Sequence, residues 1–370
     1  LQYGTKDTPN LRALLKYYGL NEQIGSVCET QGNYYNYVNS VIPTLDSSNE
    51  IASGVSGVVV MPSPVGISKF KGARKSLTIS EFMTTSKGSY LKLDTSSGKA
   101  AKEKGIADAI LVGDEAEIRK IAAELDMNLD EYEIINEPDS IQAAHKAGEL
   151  VHNNKADMYM KGIIDTKNFL KSVLDKEVGL RTGKPLSHVA VFEVPGVDRL
   201  LYLSDVAFMT YPSLEDKKAI IENTVKVVHA CGIPCPKVAP LAAVEVVNPK
   251  MPVTVDAAEL TKMNENGEIT GCIVDGPLSL DLAIDPEAAK HKGAEDRKIV
   301  GDADILLFPD IHAGNLVYKC LTHTTASKNG CILTGTKAPV ILTSRSDSFE
   351  VKMNSIALAA VVAEAIKNEQ

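Results

Sequence analysis

From Gly98 onward two hydrophobic periods alternate along the chain. Short continuous apolar runs, of the kind that fill strands covered on both faces, are separated by segments in which apolar residues recur every three or four positions. "AAKEKGIADAILVGD" predicts a helix end and then a strand closing at Gly113-Asp114. "EAEIRKIAAELDM" predicts a helix, "EYEIINEP" a strand, "SIQAAHKAGELVHNNK" a helix and "ADMYMKG" a strand. Strands alternating with helices predict an α/β fold built on a mostly parallel sheet. Residues 1 to 94 have another texture: they are rich in Ser, Gly, Thr and Lys and break often, with "NLRALLKYYGL" as one short helix. No chemistry is placed there, but the first strand of the sheet is expected between Ser76 and Asp94.

The ends of the apolar runs are polar. They fall at Lys161-Gly162, Ser204-Asp205, Asn248-Pro249, Asp275-Gly276-Pro277, Asp310 and Ser344-Arg345. Ligands of open α/β sheets bind outside the carboxyl ends of the strands, so these six ends are expected to form one polar rim. Each turn taken singly is also what a helix cap requires. Thr166 is expected to cap a helix from Lys167 to Leu174. Asp347 and Glu350 are spaced as in a capping box, ahead of Met353, Ile356, Ala357 and Ala360 at helical spacing. Ser344 and Arg345 at a helix start suit a phosphate or an oxyanion. Arg181, in a Gly-Leu-Arg-Thr-Gly turn, offers a fork for phosphate. His188, after Ser187, is either a base or a histidine at a strand start. Gly314 either brings the backbone close to a ligand or packs helix against strand. The ligand reading is preferred, with Asn315 opening the helix.

Composition changes the picture little. The chain has 370 residues, enough for about two domains, with 44% apolar and 24% charged residues. Its 39 basic and 48 acidic residues give −9, with no dense basic run, so no nucleic-acid partner is expected. No run approaches a membrane span, no signal peptide is seen, and the expected compartment is the cytoplasm. Six scattered cysteines read as reduced core residues, and Cys231 with Cys235 lacks the second pair of a zinc site. A phosphate-binding G-x-x-x-x-G-K-[ST] loop, G-x-G-x-x-G, H-E-x-x-H and G-x-S-x-G are all missing.

Long stretches resemble a known family. "KADMYMKGIIDTKNFLKSVLDKEVGLRTGKPLSHVAVFE", "LSDVAFMTYP", "KVAPLAAVEVVNPKMPVTVDA", "CIVDGPLSLDLAI", "GDADILLFPDIHAGNLVYKCLTH" and "GTKAPVILTSRSDS" with "KMNSIALAA" are similar to the phosphate acetyl/butyryl transferases, closest to the butyryl branch. The resemblance covers residues 98 to 370. It implies two αβα domains with a cleft between them, like the isocitrate and isopropylmalate dehydrogenases. The expected division is 95–190 with 330–370, and 191–329, leaving 1–94 unassigned.

It also implies transfer of a short acyl group between coenzyme A and inorganic phosphate, these being substrates, with no tightly bound cofactor and no metal. Ser344 and Arg345 then match the family's active-site pair and Arg181 its phosphate-side arginine, with Lys161 beside it. Where the acetyl branch has an aspartate base this chain has Val351, so Asp310, Asp347 and Glu350 compete for the proton. Gly162, Thr166, Ser187, His188, Asp205, Asn248, Asp275, Gly314 and Asn315 complete the expected substrate surface, and a homo-oligomer, dimer or higher, is expected. Two rivals stay open. One is a metal- and NAD-dependent decarboxylating hydroxy-acid dehydrogenase, with a metal held by Asp205, Asp275 and Asp310. The other is a binding or scaffold protein with an idle transferase part.

Overall fold

Side chains alternate across a strand, and in the central sheet the two sets meet different partners. The structure is a computed structural model. It describes Ala101 and residues 105–124, 127–342 and 347–368 in full, and before them the backbone of seven short strands. The chain divides into two compact units, Leu1–Thr95 and Ser96–Gln370.

In the first unit β1 (Leu20–Cys28) pairs antiparallel with β5 (Val65–Lys69) and β7 (Tyr90–Lys92). Two further two-residue pairs join β2 (Ser40–Val41) to β4 (Met61–Pro62), and β3 (Thr44–Leu45) to β6 (Met83–Thr84). The first strand of the large sheet was expected in "SLTISEF" or "SYLKLD"; the latter holds β7, whose partner is β1. Ser76–Phe82, and all but the last residue of the helix read at "NLRALLKYYGL", lie outside the described residues.

The second unit opens with a parallel pair, β8 (Ile110–Gly113) and β9 (Glu133–Asn136), linked by helix α1 (Glu115–Glu124). Asp139 caps α2 (Ser140–His152). Then β10 (Tyr159–Met160), α3 (Thr166–Val173), β11 (Ser187–Glu193), β12 (Leu200–Ser204), α4 (Leu214–Ala230) and β13 (Lys237–Pro240) follow. After these come α5 (Pro252–Glu265), β14 (Ile273–Val274), α6 (Leu280–Ile284), α7 (Pro286–His291), β15 (Ile305–Leu307), α8 (Ile311–Thr324), β16 (Lys328–Thr334), β17 (Val340–Ile341) and α9 (Phe349–Asn368).

The eight-stranded sheet has the order β10-β17-β16-β11-β12-β15-β13-β14. It is mixed: four neighbouring pairs are parallel, but β16 pairs antiparallel with both β11 and β17, and β11 antiparallel with β12. So β12, β13, β14 and β15 run one way while β10 and β17 run the other, and the six polar ends cannot share one rim. One expected strand is absent. "AAVEVVNP" is a loop with Val246 and Val247 exposed, because the slot between β15 and β14 is filled by Lys237–Pro240 just upstream.

One face of the sheet, with Val189, Val191, Tyr202, Ile305 and Ile332, packs under α4, α5 and α9 in a single cluster. The other face divides. Ala190, Phe192, Leu203, Leu306 and Cys331 pack under α6, α7 and α8. Leu333, Val340 and Tyr159 pack against Phe169 and Val173 of α3 and Val151 of α2. His188 lies at the junction, opposite Leu333 and two residues before Ala190. Of the described cysteines, Cys272 and Cys331 are buried as expected, whereas Cys235 and Cys320 are exposed.

Candidate active site

Asp205 follows β12, and both oxygens of its buried carboxylate are engaged. Oδ2 accepts from His188 N at 2.8 Å, and Oδ1 accepts from Ala207 N at 2.8 Å and Phe208 N at 2.7 Å. Three amide donors on one carboxylate fix the turn out of β12 against the start of β11. Ser187 is buried beside it and accepts from Asn223 Nδ2 at 3.1 Å. His188 is 5% exposed. Burial holds its imidazole below the ordinary value, while the charges of Asp205 and Asp347 pull the other way.

Asp347, half-buried ahead of α9, also acts electrostatically on two other groups at this junction. Tyr318 is pushed upward mainly by burial, and Cys331 is pushed to about 11, again mainly by burial. Asn329 Nδ2 donates to Tyr318 Oη at 3.1 Å and contacts Cys331 Sγ at 3.6 Å. This Tyr318–Asn329–Cys331 group escaped the sequence reading. The available signal was the alternation of Asn329 and Cys331, which puts both on one face of β16.

Lys161 is 7% exposed. Its amide donates to Ile341 O at 3.0 Å, and Nζ donates to Gly162 O at 3.3 Å. It therefore flanks the end of β17, the strand whose continuation is Ser344-Arg345. Residues 343–346, and with them Ser344 and Arg345, lie outside the described residues. The first turn of α9 is capped by Ser348, whose Oγ accepts from Val351 N at 3.3 Å, one position past the aspartate of the expected capping box. Glu350 is exposed. Arg181 is exposed and bridges to Thr336 beside the β16–β17 turn. Its glycine neighbours serve the turn itself: Gly183 has φ +83, and a Cβ on Gly179 would meet Asp175 O at 2.3 Å.

Other expected residues hold the fold together. Asp165, not Thr166, caps α3, with Oδ1 accepting from Asn168 N at 3.0 Å. Asn248 closes the turn into α5, its N–H donating to Thr254 Oγ1 at 2.9 Å. Asp310 caps α8 through Ala313 N at 3.0 Å, so the helix begins at Ile311 and not at Asn315. Gly314 is buried in its first turn, and an added Cβ would lie 2.3 Å from Asp205 O. Asn315 Nδ2 donates to Val206 O at 3.0 Å. Both therefore join α8 to the turn after β12. Asp275 pairs with Arg297, Nη2 to Oδ1 at 2.7 Å and Nε to Oδ2 at 3.2 Å, and also accepts from Lys298 N and Ile299 N.

Adjacent strands are about 4.8 Å apart, and three such spacings, from β12 through β15 and β13 to β14, set Asp275 roughly 14 Å across the sheet from Asp205. Asp205, Asp275 and Asp310 therefore do not converge on a metal. Arg297→Ala, which strands the Asp275 carboxylate, is expected to lower stability by about 2 kcal/mol and leave kcat unchanged, as urea unfolding and initial rates would show. A recess of about 190 Å³ at the ends of β13 and β15 holds the buried Lys217, already paired with Asp256 at 2.6 Å. No helix among the described residues is long and apolar enough to cross a membrane.

A family model described as phosphate acetyl/butaryl transferase matches residues 139–360. The chain is 62% identical over 263 residues to the phosphate butyryltransferase of Clostridium acetobutylicum, covering 71% of this chain and 87% of that one. It is 45% identical over 258 residues to the phosphate acetyltransferase of Thermotoga maritima, covering 70% and 87%. Among solved structures, a branched-chain phosphotransacylase from Enterococcus faecalis is 37% identical with a TM-score of 0.64, covering 72% of this chain and 93% of that one.

Proposed function

Because the chain belongs to the phosphate acetyl/butaryl transferase family, we infer that it transfers a short acyl group between coenzyme A and inorganic phosphate. A butyryl-sized group is the reading supported by 62% identity to a butyryltransferase, against 45% to an acetyltransferase. The observation that carries the site is the junction on the divided face of the sheet. The backbone of His188 is held by Asp205 there and the charge of Asp347 acts on its ring, with β16 between it and β17, the strand that leads into Ser344-Arg345.

A phosphate oxygen attacks the thioester carbonyl carbon, the C–S bond breaks, and the sulfur leaves as a thiolate that takes up a proton. Arg181 and Arg345 hold phosphate in line, which supplies proximity, and Lys161 adds charge at the end of β10. Ser344 donates to the tetrahedral oxyanion, worth about 3 kcal/mol. Asp347 moves the sulfur's proton. Its half-buried place and its influence on His188 support it over the exposed Glu350 and over Asp310, whose carboxylate caps α8.

A two-lobed arrangement, 95–190 with 330–370 against 191–329, goes with this reading. It is supported by the two separate apolar clusters on one sheet face. Coenzyme A thioester and phosphate are substrates with no resident cofactor. A cytoplasmic location belongs to the same reading, and so does a homo-oligomer, the latter supported by the exposed Tyr211 and Leu316 beside and on α8.

The test is phosphate-dependent release of thiol from butyryl-CoA by the full chain. Arg181→Ala is expected to raise the KM for phosphate about tenfold, the loss of one charge-assisted contact, with the unfolding midpoint unchanged. Failure to cleave acetyl-, butyryl- and branched thioesters alike would overturn the reading.

A further inference from the structure

The backbone of His188 is engaged on both sides. Its N–H donates to Asp205 Oδ2 at 2.8 Å, and its carbonyl accepts from Ser204 Oγ at 3.0 Å. Its ring is not: Nδ1 is buried and has no hydrogen-bond partner among the described residues. Such an atom destabilises a fold unless something pairs with it, and the neighbours on this face, Ala190 and Leu333, would pack equally well against an apolar side chain. The site is also particular. It is the seam between the two apolar clusters, where the charges of Asp205 and Asp347 both reach the ring.

We propose that His188 is a catalytic residue whose Nδ1 is completed by substrate: it hydrogen-bonds the acyl-thioester end of coenzyme A, at the carbonyl oxygen or the sulfur. The proposal rests on the transferase reading and adds to it. A neutral imidazole donates from one ring nitrogen and accepts at the other, so either contact is open to it. Phosphate is not its ligand, because a dianion beside Asp205 and Asp347 meets charges of its own sign. No covalent step is assigned to the ring. Its work is to orient the thioester for in-line attack.

The test uses the full chain with butyryl-CoA and inorganic phosphate, varied separately, together with thermal unfolding. His188→Leu removes the unpaired nitrogen at similar size. The expected result is an unfolding midpoint at or above wild type, a loss in kcat/KM for butyryl-CoA of at least tenfold, and an unchanged KM for phosphate. His188→Asn, whose amide reaches the Nδ1 position, is expected to recover much of that loss, and His188→Gln, whose amide lies further out, to recover less. Wild-type kcat/KM in His188→Leu, a shift confined to the phosphate KM, or no recovery in His188→Asn would each overturn the proposal while the transferase reading stands. An inactive wild-type chain would overturn both.

Discussion

Replacing Arg345 with alanine raises the KM for phosphate at least tenfold and lowers kcat with it, while the KM for the acyl thioester changes little. On the proposed reading the guanidinium meets a phosphate dianion, and hydrogen bonds to charged groups contribute about 1.5–3 kcal/mol. Part of that contribution is made only as charge develops on the attacked carbonyl, so it shows in turnover as well as in saturation. Initial rates of thiol release across a phosphate series check it. Unaltered phosphate saturation removes Arg345 from the site, and a loss shared equally by both substrates points to a folding defect.

Gly314→Ala is the second large effect, and it falls on stability. The added methyl lies 2.3 Å from Asp205 O and 3.1 Å from Val206 Cα, both backbone atoms, so a helix or a strand end must move. Overpacking of this kind costs about 3 kcal/mol, lowering the melting temperature by roughly 6–12 °C. The enzyme that remains folded keeps its kcat/KM. A tenfold loss of kcat/KM at an unchanged melting temperature would instead place the glycine against ligand, as its sequence context alone led one to expect.

That reversal shows what the pattern of residues reveals and what it hides. The α/β class, the strands at "AILVGD" and "EIINEP" and the helices that follow them are local signals, and each is found within about three residues of its expected bounds. Strand direction is not local. Nothing in "LSHVAVFE" or "KNGCILTG" distinguishes a strand that runs with its neighbours from one that runs against them, and those two strands make the sheet mixed. The error over Asn248 has the same origin: an apolar run becomes a strand only where a neighbour has a free edge.

Among the candidate site residues, Lys161, His188 and Asp205 stood out in the sequence because polar groups begin or end apolar runs, and Asp347 through its spacing with Glu350. Their relations did not. That Asp205 serves three amides, and that Asp275 belongs to Arg297, depends on contacts between distant segments.

The pairing of β10 with β17 sets the order in which the molecule is completed during synthesis. Tyr159 lies opposite Val340, 340 − 159 = 181 positions later in the chain. At about 5–20 residues per second, roughly ten to forty seconds separate the two on a translating ribosome. Through that interval the edge of β10 has no neighbour, and Leu333 has not yet arrived to cover Phe169 and Val173. The C-terminal stretch that supplies β16, β17 and α9 thus closes the sheet and brings the Ser344-Arg345 segment in the same event. A chain released before that event exposes an unpaired strand edge, and on the proposed reading it also lacks Ser344 and Arg345, so incomplete folding and missing activity coincide.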